Sequence, residues 1–417
     1  MKSNPGIFAM KLSAKTYFVK TRNGSVLSLV VLMSVAVSII GISLMSLGLH
    51  ARMRALRTGE EMSARVAADA GLVYAVGLLN RKLSEEAEWD DAVLPSEPTM
   101  YLPNSKANYS FIIIGDTENG YVVESTGSTG TAQKTVTSSL KLKGLFEYAI
   151  FADEQIELKM GTAVYGYNFG PDETSLLLGT NSIETRALDL KNGVTIEGDV
   201  VIGPGGDADT VIASRMDVDI TGDVYPLPAK HALPLINVPE KLRLADSLGK
   251  LIKGTTISSD SKYDEIDLKE KGEIVEIDGD VIVYVVGDVI LGNSAELRVV
   301  GTDTNPDASL TLYLGGNLMV RNGALINNLT EDPKKLRIYG LENCNSIDFL
   351  TNSVFCGTIY APSANVVMHN NVEIFGSVAA NSFVQHVKAD FHYDASLRDV
   401  NLNDIGVSFT VGNWREQ

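Results

Sequence analysis

Apolar and polar positions divide this chain into three textures, and the first is a run without charge. From Ser25 to Leu49 nothing ionises, and Val26, Leu27, Leu29, Val30, Val31, Leu32, Val35, Val37, Ile39, Ile40, Ile42, Leu44 and Leu47 crowd the segment. As a helix it spans about 37 Å, more than the roughly 30 Å core of a bilayer. Ser28, Ser34, Ser38, Ser43 and Ser46 are compatible with insertion, because each hydroxyl can return to the helix backbone. The pattern predicts one transmembrane helix over 25–49, preceded by a basic arm over 1–24. The run exceeds the roughly 7–15-residue core of a cleaved secretory signal, and His50 stands where such a signal needs a small residue.

The second texture is amphipathic. No proline interrupts His50 to Ala87, and Met62, Val66, Val73, Val76, Leu79 and Leu83 recur in steps that mark one helical face. Ala67, Ala68, Ala70, Gly71, Ala75 and Gly77 would admit a second element at short range. The face is expected to pack on its own domain, with a coiled coil to a partner as the alternative. Three β runs follow, Tyr109–Gly115, Tyr121–Ser125 and Thr135–Lys143, joined by Glu118-Asn119-Gly120 and a Gly/Thr turn. Residues 50–144 thus predict a helix covering an antiparallel meander.

From Leu145 to about residue 400, β-branched runs are punctuated by Gly-Asp or Gly-Asn: Val194–Gly203, Val218–Val224, Ile277–Val283, Val285–Leu291, Leu310–Asn317, Val354–Pro362, Ala364–Met368 and Val372–Val378. No amphipathic helix separates them. The fold class expected is mainly β: the N-terminal transmembrane helix continues into an α+β stem, then a single-stranded parallel β-helix, or solenoid, over 145–400. A β-sandwich is the alternative. Pro226, Pro228, Pro234 and Pro239 mark an excursion over 226–271, with a short helix at Lys241–Leu251, and 401–417 is expected to be a tail.

Charge gives the orientation. The first 65 residues carry nine Lys/Arg and two Asp/Glu, a balance of +7; the whole chain is −17, so residues 66–417 hold −24. The basic arm places the amino terminus in the cytoplasm and the acidic bulk outside an inner, cytoplasmic membrane, in the periplasm or at the cell surface. The lipid bilayer is the expected partner, and nucleic acid is disfavoured by the acidic exterior. The two cysteines, Cys344 and Cys356, lie in the exported part, where a disulfide is chemically permitted; the sequence leaves their pairing open.

Candidate chemistry is sparse. Asp278, Asp280 and Asp288 suggest clustered carboxylates, but Asp after Gly is also ordinary turn composition, and Arg298 and Arg321 stand alone. Gly203-Pro204-Gly205-Gly206-Asp207-Ala208-Asp209 is similar to a calcium turn that works only when repeated. His231, His369, His386 and His392 lack metal-ligand spacing, and His392-Tyr393-Asp394 reads as a closing turn. No phosphate loop, dinucleotide fingerprint or nucleophile elbow is present. The chain does not read as an enzyme, and no catalytic, cofactor or metal residue is assigned. Tyr165, Tyr167, Asn168, Asn327 and Asn328 are candidates for contact with a surface polysaccharide.

Arg22-Asn23-Gly24-Ser25, the apolar helix from Val26 and the segment Ala67-Ala68-Asp69-Ala70-Gly71-Leu72 resemble the type IV pilus-assembly and minor-pilin group, especially PilX-like proteins and the K-type pseudopilin of type II secretion. Tyr121–Gly127 is similar as well. The resemblance implies prepilin-peptidase cleavage between Gly24 and Ser25 and partnership with other pilin-like or secretion-assembly subunits. Leu29 stands where major pilins carry a glutamate, a departure that K-type pseudopilins share. Phe146 to Leu397 resembles an uncharacterised β-helical domain of bacterial envelope proteins, most specifically at Gly357-Thr358-Ile359-Tyr360-Ala361-Pro362 and Phe375-Gly376-Ser377-Val378. That resemblance implies a location and an architecture, and no reaction.

Overall fold

The apolar run is the start of one unbroken helix, α1, Val26–Glu85. The computed structural model describes residues 26–85, 89–170, 175–292, 294–321, 323–350 and 353–416; Gly24, Ser25 and the basic arm lie outside them. Within α1 an 18-residue stretch reaches a mean hydropathy of 2.6 with none of it buried, so the helix is long and apolar enough to cross a membrane. Ser34, Ser38 and Ser43 donate to carbonyls three or four residues earlier, as insertion requires.

The second half of α1 lies on an antiparallel sheet of β1 (Glu97–Tyr101), β2 (Asn108–Asp116), β3 (Gly120–Thr129) and β4 (Ala132–Lys143). The buried face is Ala64, Ala67, Ala68, Leu72, Ala75 and Leu79. Met62, Val66 and Val73, expected on the packed face, point to solvent at 65%, 55% and 67% exposure. Proximity is the reason. A Cβ on Gly127 of β3 would lie 2.0 Å from the Ala64 carbonyl oxygen and 2.5 Å from the Ala68 nitrogen, so only small side chains fit between helix and strand. The β2–β3 hairpin turns where Asp116 accepts from Glu118 N and Asn119 N, with Gly120 at φ +78°.

The carboxy terminus differs from a tail. Ser408–Glu416 pairs antiparallel with β4 and completes a five-stranded sheet. Asn80 on α1 clamps this strand, accepting from Phe409 N at 2.6 Å and donating to its carbonyl at 3.0 Å. Arg65 pairs with Glu416 at 3.4 Å and lies over the Trp414 ring. Everything from Gly144 to Val407 is therefore inserted between two neighbouring strands of the stem sheet.

That insert is mainly β and its strands pair in parallel, which sets it apart from an antiparallel sandwich. One inward column shows the stacking: Ser261, Val283, Leu312, Ile338, Ile359, Val378, Ile150, Leu178, Val200 and Val224 are successive register partners. The interior members are buried branched aliphatics. At about 4.8 Å per strand the stack is roughly 43 Å long. Its order is not chain order: the chain enters in the middle at Ile150, builds to one end at Val224, reappears at the other end near Lys250 and builds back until Val378 meets Ile150.

The crossing between ends is a strap, Leu227 to Gly249. Extended chain at about 3.3 Å per residue covers the distance easily. Leu227, Leu233, Ile236 and Val238 pack on an outward column in which Tyr284, Tyr313, Tyr339 and Tyr360 are register partners. The Tyr360 hydroxyl donates to the Pro234 carbonyl at 2.8 Å. The excursion is thus shorter than 226–271, because Lys250–Leu251, Ser261–Tyr263 and Glu265–Leu268 already belong to the parallel stack and Thr255–Ile257 to a neighbouring parallel sheet. Their strands run two to four residues between charged turns, too short to show a β pattern. The helix expected at Lys241–Leu251 is a single turn, Glu240–Leu244.

Candidate functional site

On one side of the stack the ladder is broken. Thr255–Ile257, Ile274–Ile277, Glu296–Val299 and Leu325–Asn328 form a parallel sheet that stops at Asn328. Among the described residues, the segment one layer on, Val354–Gly357, makes backbone pairs with Glu373–Gly376 alone. Asn328, 5% exposed, bridges the gap by donating to the carbonyls of Asp332 (2.8 Å) and Cys356 (3.1 Å). A cleft of about 680 Å³ opens there, in the usual range for small-molecule sites.

One wall is aromatic. Cys356, Phe375, His392 and Tyr165 are register partners on successive strands. The Phe375 and His392 rings stack at 4.5 Å and 12°, and His392 and Tyr165 at 5.8 Å and 24°. Tyr167 lies beside them, and Asn327, Asn328 and Glu331 form the opposite wall. Asn327 donates to Glu296 Oε1 at 2.8 Å. Desolvation, with Asp394 nearby, raises the Tyr167 hydroxyl above its ordinary range. Desolvation pushes the Cys356 thiol up to about 12, helped by Asp332, Asp394 and Glu331, so it stays protonated and is a poor nucleophile. The cleft offers a flat ring face, hydrogen-bond acceptors and negative potential, a set suited to binding.

Of the polysaccharide candidates, Tyr167, Asn327 and Asn328 line this cleft and Tyr165 supports His392, whereas Asn168 is held by Asp394. Nothing in the sequence marked Phe375, Cys356 or Glu331 as lining a cleft, since that role depends on which strands become neighbours.

The acidic candidates are engaged elsewhere. Asp278 accepts from Asn305 Nδ2 at 2.9 Å, Asp280 from the Ser309 hydroxyl, and Asp288 from Asn317 N at 2.7 Å. Asp280 and Asp288 flank opposite ends of the strand Asp280–Val285. Asp207, in the glycine-rich turn, accepts from the Thr210 hydroxyl. His392-Tyr393-Asp394 is not a turn but the end of the strand Asp390–Asp394, with the Tyr393 hydroxyl donating to the Phe146 carbonyl and Asp394 capping the following 3-10 turn by accepting from Ser396 N. His231 lies in the strap against Tyr148 and Phe151, and His369 and His386 stack on each other at 4.8 Å. Among the described residues no three metal-ligating side chains converge. Cys344 and Cys356 are both free: Cys344 is in the core, and its thiol is pushed up to about 12 by burial.

The chain is a mainly β protein of parallel strands behind one long apolar amino-terminal helix. Residues 243–400 match a family described as a domain of unknown function (DUF7305). The competence-associated pilin ComZ from Thermus thermophilus aligns at 13% identity over 86% of this chain and 97% of its own, with a TM-score of 0.26. An ice-binding protein from an Antarctic Flavobacteriaceae bacterium aligns at 10% identity over 59% of this chain and 80% of its own (TM-score 0.25), and the ice-binding protein of Shewanella frigidimarina at 13% over 60% and 98% (TM-score 0.29). At these TM-scores the superpositions carry no weight for fold or function. No curated protein matches the chain.

Proposed function

We propose that this chain is a non-enzymatic, single-pass envelope protein: a pilin-like assembly subunit that displays a single-stranded parallel β-helix outside the inner membrane, with its amino terminus in the cytoplasm. The observation that carries the reading is the division of α1. Val26 to Leu49 are apolar and more than half exposed at nearly every large side chain, while Ala64 to Leu79 are packed under the stem sheet. Burying one large aliphatic side chain is worth about 1.5–3 kcal/mol, so leaving more than a dozen in water costs tens of kcal/mol. A bilayer, or the equivalent helix of another subunit, removes that cost. The β-helical reading of the head is supported by the single inward column and its parallel register.

Membrane fractionation tests the anchor: the protein is expected to stay with the inner membrane through salt and carbonate washes, and recovery in the soluble fraction would reject it. The mass of the mature protein tests processing. Loss of residues 1–24 supports cleavage at Gly24–Ser25, and an intact arm rejects pilin-like maturation. A second reading, that the head binds a polysaccharide, is favoured by the cleft lined by Tyr167, Asn327, Glu331 and Phe375. The engagement of Asp278, Asp280 and Asp288 in hydrogen bonds between layers weighs against a lyase or hydrolase.

A further inference from the structure

The column Tyr165–His392–Phe375 is a stack of rings with one open end. Two faces of His392 are covered, by Phe375 on one side and Tyr165 on the other. One face of Phe375 is covered by His392; on its other side the register partner is Cys356, whose side chain is too short to reach across the ring. No backbone ladder joins Leu325–Asn328 to Val354–Gly357; Asn328 reaches across to the Cys356 carbonyl, and the cleft lined by Asn327, Glu331, Cys356 and Phe375 opens beside that contact. The slot beyond Phe375 opens into the cleft that Asn327 and Glu331 also line.

We propose that this slot binds a neutral sugar ring, stacked on Phe375 as the next member of the column, with its hydroxyls donating to Asn327 Oδ1 and the Glu331 carboxylate. This deepens the polysaccharide reading above and is independent of the membrane anchor. The apolar face of a pyranose meets the aromatic face, as flat apolar surfaces do elsewhere. The polar wall selects the class. Asn327 donates one amide hydrogen to Glu296 and keeps its carbonyl oxygen as an acceptor, and Glu331 accepts only. A ligand must supply donors, which hydroxyls do. Glu331, Asp332 and Asp394 surround the cleft and repel uronates, sulfated sugars and phosphates.

The experiment is calorimetric titration of the full chain in a detergent without a sugar headgroup. Probes are cellotetraose and the tetramer of N-acetylglucosamine, against tetragalacturonate and N-acetyltyrosinamide. At least one neutral tetrasaccharide is expected to bind ten-fold or more tighter than either of the others. Cys356→Phe, which fills the slot with the protein's own ring, is expected to abolish binding without lowering the melting temperature. Phe375→Leu is expected to weaken it at least ten-fold, and Phe375→Tyr to retain it within about three-fold, so the test survives if the Cys356 variant misfolds. No binding of either neutral sugar, preference for the acidic sugar or the aromatic amide, or wild-type affinity in Cys356→Phe or Phe375→Leu would each overturn the proposal. None of these outcomes alters the fractionation result.

Discussion

At the scale of single residues, the Gly-Asp and Gly-Asn pairs are joints between layers. Asp199 accepts from Asp223 N, Asp288 from Asn317 N, and Asn317 from Asn345 N, at separations of 24, 29 and 28 residues. In two of these joints a glycine precedes the donor because the carboxylate below occupies its Cβ position: a Cβ would lie 2.2 Å from Asp199 Oδ1 at Gly222 and 2.4 Å from Asp288 Oδ1 at Gly316. Gly316→Ala is accordingly expected to cost about 2 kcal/mol, seen as a lower thermal midpoint. Gly77→Ala, on α1 with open space around it, is expected to gain up to about 1 kcal/mol in the same assay. The turn role of these pairs was legible in the sequence. Their partners were not, because the layers differ in length and leave no fixed period. The cleft was legible by halves: Tyr167, Asn327, Asn328 and His392 stand out by type, but only the meeting of distant layers makes them neighbours.

At the scale of elements, two contacts set what each piece can tolerate. α1 rides on Gly127, and Gly127→Ala is expected to lift the helix from the sheet. The cost is about 2–3 kcal/mol, with protease sensitivity rising between Ala64 and Leu79. Of the large apolar residues of α1, Val76, Leu79 and Leu83 pack on the sheet as periodicity predicts, whereas Met62, Val66 and Val73 do not, because closeness of approach around Gly127 gives that part of the face to alanines. The strap is held at His231, which exchanges two hydrogen bonds with Asn181 (2.7 and 2.8 Å) and lies against Tyr148 and Phe151. Desolvation, then the Lys143 charge, lowers its pKa from 6.5 to about 4, with Glu147 opposing. The folded state thus holds the neutral ring while the unfolded chain takes up a proton first. Stability is full above pH 6.5, falls as pH drops toward 4 by at most about 3 kcal/mol, and is level below that. Thermal melts between pH 4 and 7.5 should show this slope, and His231→Gln should flatten it.

At the scale of the whole molecule, the stack is closed by strands from opposite ends of the insert. Ile150–Leu158 pairs with Glu373–Gln385, and the strap joins the two extremes. The segment 243–400 that matches a known domain therefore lacks the layers that cover Val378, Ala380 and Phe383. Produced alone, it is expected to aggregate or melt without cooperativity, and co-expression with residues 144–226 to restore a sharp transition by circular dichroism. Such long-range pairing also predicts slow folding. A glycine-punctuated β texture announced stacked strands, but nothing local in the chain states which layer follows which. The insertion between β4 and Ser408–Glu416 has a mechanical consequence. Tension on the inserted domain reaches the stem and α1 through two covalent crossings side by side, and both tethered strands are drawn along their length. Their hydrogen bonds then resist in shear, together, where a single tether at a sheet edge would unzip one bond at a time.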